Sequence, residues 1–204
     1  MKRVLFVALI LAVAFAGTAS AMPTFGAKLG LNLANVSMDP KAPGASYGIR
    51  PGLMIGGMAD FALPNPKMSI RAELAYAMKG SKVTYTGGDA TMKLDEVVVA
   101  PFFVYNFTAT NFTPFVEVGP EIGFVMSHKS ESNGQSRDIA DYASTNFGLN
   151  FGVGVSKPMG KGIGSVDLRY NLGLANMYTG SASNVTDKTN GIQLVLGYAF
   201  TAAK

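Results

Sequence analysis

His128 is the only histidine of a 204-residue chain that contains no cysteine, so imidazole chemistry must be sought around this one position. Ser127, Ser130 and Ser132 flank it, and Glu131, Asp138 and Asp141 follow. These types could form a Ser/His/acid triad, in which the imidazole takes the serine proton and a carboxylate orients the ring. A triad is a three-dimensional arrangement that neighbours in one polar stretch do not supply, and the cluster reads as solvated loop residues. No enzymatic activity is expected. Asp39, Asp89, Asp138 and Asp141 could hold calcium weakly, but they lack the spacing of a calcium loop. Gly87-Gly88-Asp89 reads as a turn, since the lysine and strand-to-helix setting of a phosphate loop are missing. Without cysteine there is no disulfide framework, thiolate ligand or thiol nucleophile, and no cofactor or metal is expected.

The other residues able to do electrostatic work are five bases, Lys28, Arg50, Arg71, Lys79 and Arg169, and six acids, Asp60, Glu73, Glu96, Glu117, Glu121 and Asp167. Each sits inside a stretch in which polar and apolar residues alternate. In residues 165–175, Val166, Leu168, Tyr170, Leu172 and Leu174 share one parity, and Ser165, Asp167, Arg169, Asn171 and Gly173 the other. A period of two means strand, because successive side chains of a pleated backbone point to opposite faces. Eight such segments can be read, at 24–36, 48–61, 68–81, 92–107, 113–127, 144–157, 163–177 and 188–200. They average about 14 residues, whereas strands of globular proteins run roughly 5–6 and a tilted transmembrane strand needs roughly 9–11. Short turns follow the second, fourth and sixth segments. Longer polar loops, 37–47, 82–91, 128–143 and 178–187, follow the first, third, fifth and seventh. Sorting of short and long connections to opposite rims is the pattern of outer-membrane barrels.

Which face is wet follows from what accompanies the charges. The charged parity also carries Gly26, Gly30, Gly119, Gly123, Gly148, Gly152, Gly154, Gly173, Gly191 and Gly197, with Asn32, Asn146, Asn150, Asn171 and Gln193. On a water-facing strand each glycine would cost roughly 0.5–1 kcal/mol relative to alanine and pack nothing. Inside a narrow closed barrel the glycines leave room for long charged side chains, and charges enclosed together must pair. The expected fold is therefore an eight-stranded antiparallel up-and-down transmembrane β-barrel, with the leucine face toward lipid and the ionised face inside. A barrel of this size is just wide enough for side chains to fill it, so the lumen reads as a salt-bridged plug. A narrow solute or ion channel and a soluble, lipocalin-like periplasmic binder of a hydrophobic ligand are the competing readings; the second needs the faces reversed. Phe25, Phe61, Tyr105, Phe107, Phe112 and Phe200 at the short-turn rim, with Tyr47, Tyr85, Tyr142 and Tyr178 toward the other, suggest two aromatic girdles.

The first 21 residues have the make-up of a signal peptide: Lys2 and Arg3, an apolar run from Val4 to Ala16, and Ala19-Ser20-Ala21 as a cleavage site. The mature unit would be 22–204, a single barrel domain. Without Lys2 and Arg3 the chain carries 15 bases and 13 acids, too even a balance for a nucleic-acid partner.

The stretches FGAKLGLNLANV, LDEVVVAPFFVYNF, FGLNFGVGVSKPMGKG, VDLRYNLGLANM and GIQLVLGYAF resemble, in order and spacing, the outer-membrane β-barrel domain often called PorT-like, and more loosely the small OmpX/OmpA-type barrels. The resemblance implies a Gram-negative cell outer membrane and a surface protein, expected as a monomer, whose long loops meet lipopolysaccharide, host or neighbouring cells. The last strand, with Gly191, Leu194, Leu196, Tyr198 and Phe200, resembles the signal read by the barrel-assembly machinery, although four residues, TAAK, follow Phe200.

Overall fold

The computed structural model describes residues 23–41, 43–180 and 184–200. The expected leader, 1–21, and residues 201–204 lie outside them. The strands are β1 (Thr24–Asp39), β2 (Ser46–Ala62), β3 (Met68–Tyr85), β4 (Gly88–Asn106), β5 (Thr113–Ser132), β6 (Gln135–Asp138), β7 (Thr145–Met159), β8 (Gly162–Gly173) and β9 (Thr186–Phe200). All pairings are antiparallel, and eight strands close on themselves in the order β1, β2, β3, β4, β5, β7, β8, β9 and back to β1. Closure removes the sheet edges that would otherwise leave backbone groups unpaired in hydrocarbon.

Alternation sets the two faces as the sequence pattern requires. Leu31 pairs with Leu53 of β2 and Leu194 of β9, and Leu194 pairs with Leu168 of β8. All four are exposed on the outside, Leu194 at 45 %. On the opposite parity Lys28, Asn32, Arg71, Glu73, Glu117, Asp167 and Arg169 are buried. A soluble binder would need the reverse, so that alternative is set aside.

The ninth strand and the longer hairpins correct the expected loop plan. The second long loop is largely strand, because β3 and β4 stay paired out to Tyr85 and Gly88. The third loop contains β6, which folds back on the end of β5 through Asn133 and Gly134, both at positive φ (51° and 73°). That pair of dihedrals suits the two-residue turn whose twist matches a hairpin. The barrel thus carries an outer extension of β3, β4, β5 and β6 beyond its apolar belt, whose last exposed apolar residue on β5 is Met126.

Apolar residues also turn inward. Met54, Ala75, Ala77, Val98 and Val195 form one buried cluster, and Ala100, Phe102, Val104 and Phe115 a second. The interior is therefore a mixed core, part grease and part ion pairs, rather than the glycine-and-charge lining that the alternation suggests.

Candidate functional site

The eleven charged residues singled out in the sequence fall into three groups. Seven meet across the lumen nearer the short-turn end. Arg169 (β8) holds Glu73 (β3) with both terminal nitrogens, Nη1 to Oε2 at 2.8 Å and Nη2 to Oε1 at 2.9 Å. The same guanidinium reaches Asp167 at 2.7 Å and, through Nε, Glu117 of β5 at 2.5 Å. Lys28 (β1) pairs with Glu73 and lies 3.2 Å from Asp167. Arg71 (β3) bridges Glu117 at 3.1 Å and Asp60 of β2 at 2.8 Å. Two-point arginine–carboxylate contacts fix planar geometry as well as charge. The Arg169 guanidinium also lies over the Phe102 ring of β4 (4.5 Å), and that of Arg71 over Phe115 (5.3 Å). Side chains from β1, β2, β3, β4, β5 and β8 thus converge in one layer that crosses the lumen.

Three more charged residues form a second layer farther out. Lys79 (β3) is shared between Glu96 (β4) at 2.8 Å and Glu121 (β5) at 2.5 Å. Asparagines complete it: Asn150 and Asn171 donate to Glu121 (3.0 and 3.2 Å), Asn171 to Asn150 (2.8 Å), and Asn146 to Glu96 (2.9 Å) and Thr189 (2.8 Å). Carboxylates buried with fewer cations than anions are held by these neutral donors, the condition for burying charge at tolerable cost. Arg50 joins neither layer; it donates to the Lys79 carbonyl and lies 3.9 Å from Asp95.

The glycines match this crowding where their neighbours are charged side chains. A Cβ on Gly123 would meet Glu96 Oε2 at 2.5 Å, and one on Gly152 would meet Glu117 Cγ at 2.8 Å and Arg169 Cγ at 3.1 Å. Gly152→Leu is expected to lower stability by about 1–3 kcal/mol, as overpacking does. Urea unfolding of the refolded protein in lipid vesicles checks this, with Ser at the same position expected to cost less.

Around His128 no triad is assembled. Ser127 and His128 are successive strand residues and point to opposite faces. The His128 ring packs on Tyr142 with centroids 3.7 Å apart, and its Nδ1 is buried without a hydrogen-bond partner. Burial lowers its pKa to about 4, so the ring is neutral at neutral pH. Among the described residues no three His, Cys, Asp or Glu side chains gather as a metal-ligand set.

Tyr142 and Tyr178 do not join an outer girdle as expected; they pair in an antiparallel bridge over the outer mouth. At the other rim Tyr105 and Phe107, and Tyr198 and Phe200, make edge-to-face pairs at 5.0 and 5.2 Å. In β9, Gly191 turns inward beside Ala34, Leu194 and Leu196 face out, Tyr198 donates to the Met159 carbonyl (3.0 Å), and Phe200 is exposed opposite Phe25. Asp187, which the alternation puts in a polar loop, is a further buried inward carboxylate. Its strand parity with Thr189, Gly191 and Gln193 is the signal that could have found it.

A closed antiparallel ring with leucines outside and ion pairs inside is a transmembrane β-barrel. The chain belongs to the family described as outer membrane protein beta-barrel domain, which matches residues 15–179, and its place is the outer membrane. Among solved structures it is similar to the outer membrane protein OprG from Pseudomonas aeruginosa (TM-score 0.55, 14 % identity, covering 88 % of this chain and 96 % of that one). It is also similar to Neisserial surface protein A (0.53, 16 %, 89 % and 100 %) and to a major outer membrane protein from Thermus thermophilus (0.51, 15 %, 85 % and 98 %). At such identities the likeness is one of fold. Comparison with curated protein sequences gives no match.

Proposed function

We propose that the protein is a non-enzymatic outer-membrane barrel with a closed lumen that works through its outward side. The observation that carries this reading is the layer centred on Arg169, in which side chains from opposite walls meet and leave the charged groups nine-tenths buried or more, Asp60 excepted. A conducting pore needs hydrated charges along its wall, whereas here they are bonded to one another across the axis. Accessible on that side, besides the connections after β1 and β8, is the extension formed by β3, β4, β5 and β6, with Lys82, Lys129, Arg137, Asp89 and Asp138 on its surface.

Its partners on this reading are lipopolysaccharide around the barrel and host or neighbouring-cell surfaces beyond it, with the chain itself a monomer. The barrel-assembly machinery would read Gly191, Leu194, Leu196, Tyr198 and Phe200 during insertion. Single-channel recording in planar bilayers tests the closed lumen. No resolved conductance steps are expected from the purified barrel, and a stable ohmic pore would favour the porin-like channel instead. Protease treatment of intact cells tests the working face: cleavage is expected near Asn133-Gly134 and Gly87, and not at the short turns 63–67, 108–112 and 160–161.

A further inference from the structure

The outer mouth is spanned by a strap, residues 139–145, built from contacts that neither ion-pair layer uses. Its backbone is tied to the segment 174–180: Ala143 N–H donates to the Met177 carbonyl (2.8 Å) and Thr179 N–H to that of Asp141 (2.8 Å), on either side of the Tyr142–Tyr178 bridge. Met177 is tied in turn to β9, its N–H donating to the Asp187 carbonyl (2.7 Å), and its side chain is 0 % exposed beneath the strap. Asn176 Oδ1 accepts from the N–H groups of Asp187 (2.8 Å) and Tyr178 (3.1 Å). At the centre the Tyr142 hydroxyl donates to Asp187 Oδ2, while Asp187 Oδ1 is buried with no partner. The Tyr142 ring rests on the His128 ring.

We infer that residues 139–145 are a pH-released latch over the outer mouth, held shut by Tyr142 on a protonated Asp187 and loosened when that carboxyl ionises and must reach water. The groups facing Asp187 are neutral. Tyr142 comes from the strap, with His128 of β5 behind it, Asn176 and Met177 come from the preceding segment, and Met38 is its partner on β1. Lys188 is its chain neighbour and turns to the opposite face of β9, beside Ser37. Below it, past Thr189 and Asn146, lie Glu96 and the Lys79 that Glu96 shares with Glu121, so the nearest layer adds acid rather than base.

The direction of the pH dependence follows. Burial raises the Asp187 carboxyl from 3.8 to about 6, so the shut strap binds a proton more tightly than the open one. Strap stability is therefore present in full at low pH and is lost as pH rises from about 4 through about 6. Asp187 stands five residues beyond Ile192, the last exposed apolar side chain of β9, where such titration meets water. The inference rests on the reading that the outer side is the working side, because the latch would set which backbone that side presents.

Hydrogen exchange of the full chain in lipid nanodiscs between pH 4.5 and 8, corrected for intrinsic exchange rates, tests it. Protection of amides in 139–145 and 174–180 is expected to fall about tenfold or more across pH 6. Asp187→Asn, which keeps an acceptor but cannot ionise, should stay protected throughout, and Tyr142→Phe should be weakly protected even at pH 4.5. Amides of β9 between Ile192 and Leu196 report that each variant is folded. Protection that does not change with pH in the unaltered chain, or an Asn variant that follows it, overturns the latch. Conductance and surface proteolysis are read separately, so the latch can fail while the closed barrel stands.

Discussion

Replacing Arg169 with methionine is expected to destabilise the barrel by about 3–5 kcal/mol, the range for removing one partner of a buried ion pair. Among the described residues no other base contacts three acids as Arg169 does: Glu73 through two nitrogens, Glu117 through Nε and Asp167 through Nη2. After the change Lys28 and Arg71 are left to hold Asp60, Glu73, Glu117 and Asp167, two cations for four carboxylates inside a closed wall. Methionine fills much of the arginine volume and keeps a contact with Phe102, so the loss isolates charge more than packing. Urea unfolding in vesicles, with the heated and unheated gel mobilities as a check of folding, gives the number. Adding Glu73→Gln should recover part of the loss, because it removes the carboxylate most dependent on Arg169, and the recovered part measures the coupling. A loss below about 1 kcal/mol would resemble an exposed pair and would mean that water reaches this layer.

The architecture was legible because a barrel wall repeats one rule along every strand. Leu29, Leu31 and Leu33 against Lys28, Gly30 and Asn32 already separate two faces, and only a membrane barrel puts glycine and charge together on the enclosed one. Phe102 and Phe115 show where alternation stops short. Phe102 shares parity with Glu96, and Phe115 with Glu117, so both belong inside, yet parity does not say which side chains they meet there. Their place is explained by the guanidinium groups stacked on them, a contact between residues 67 positions apart for Arg169 and Phe102.

Harder to read were the outer connections. Asn133-Gly134 is a strong hairpin signal, but Ser, Gly and charged residues around it satisfy the description of a loop equally well. Tyr142 and Asp187 are brought together across 45 residues by backbone pairing of two irregular segments, which has no period to detect. Which carboxylate pairs with which base was likewise set by barrel stagger. Lys28 and Glu73 lie on strands separated by β2, and alternation says only that both point inward.

Leu194→Arg should cost about 2–4 kcal/mol if the position lies near the bilayer midplane, the range for arginine on the lipid face of a barrel there. Leu194 is flanked by Leu31 and Leu168, with Leu53 beyond, so neither residue directly opposite it on the adjoining strands can accept the guanidinium. Its immediate neighbour Gln193 gives the matched contrast: it points inward at 2 % exposure, and its Nε2 has no partner. Gln193→Arg is not a free substitution, since its partner on β8 is Arg169 and a second guanidinium would crowd and repel the first. The two costs have different origins and so separate by solvent. Moving from thicker to thinner lipid bilayers should reduce the penalty at 194, because the headgroups come within reach of the arginine, and should leave that at 193 unchanged. Unfolding measured in both lipids therefore assigns the faces without reference to absolute values. Penalties that shifted together would place both side chains in the same surroundings, which a strand with alternating faces does not allow.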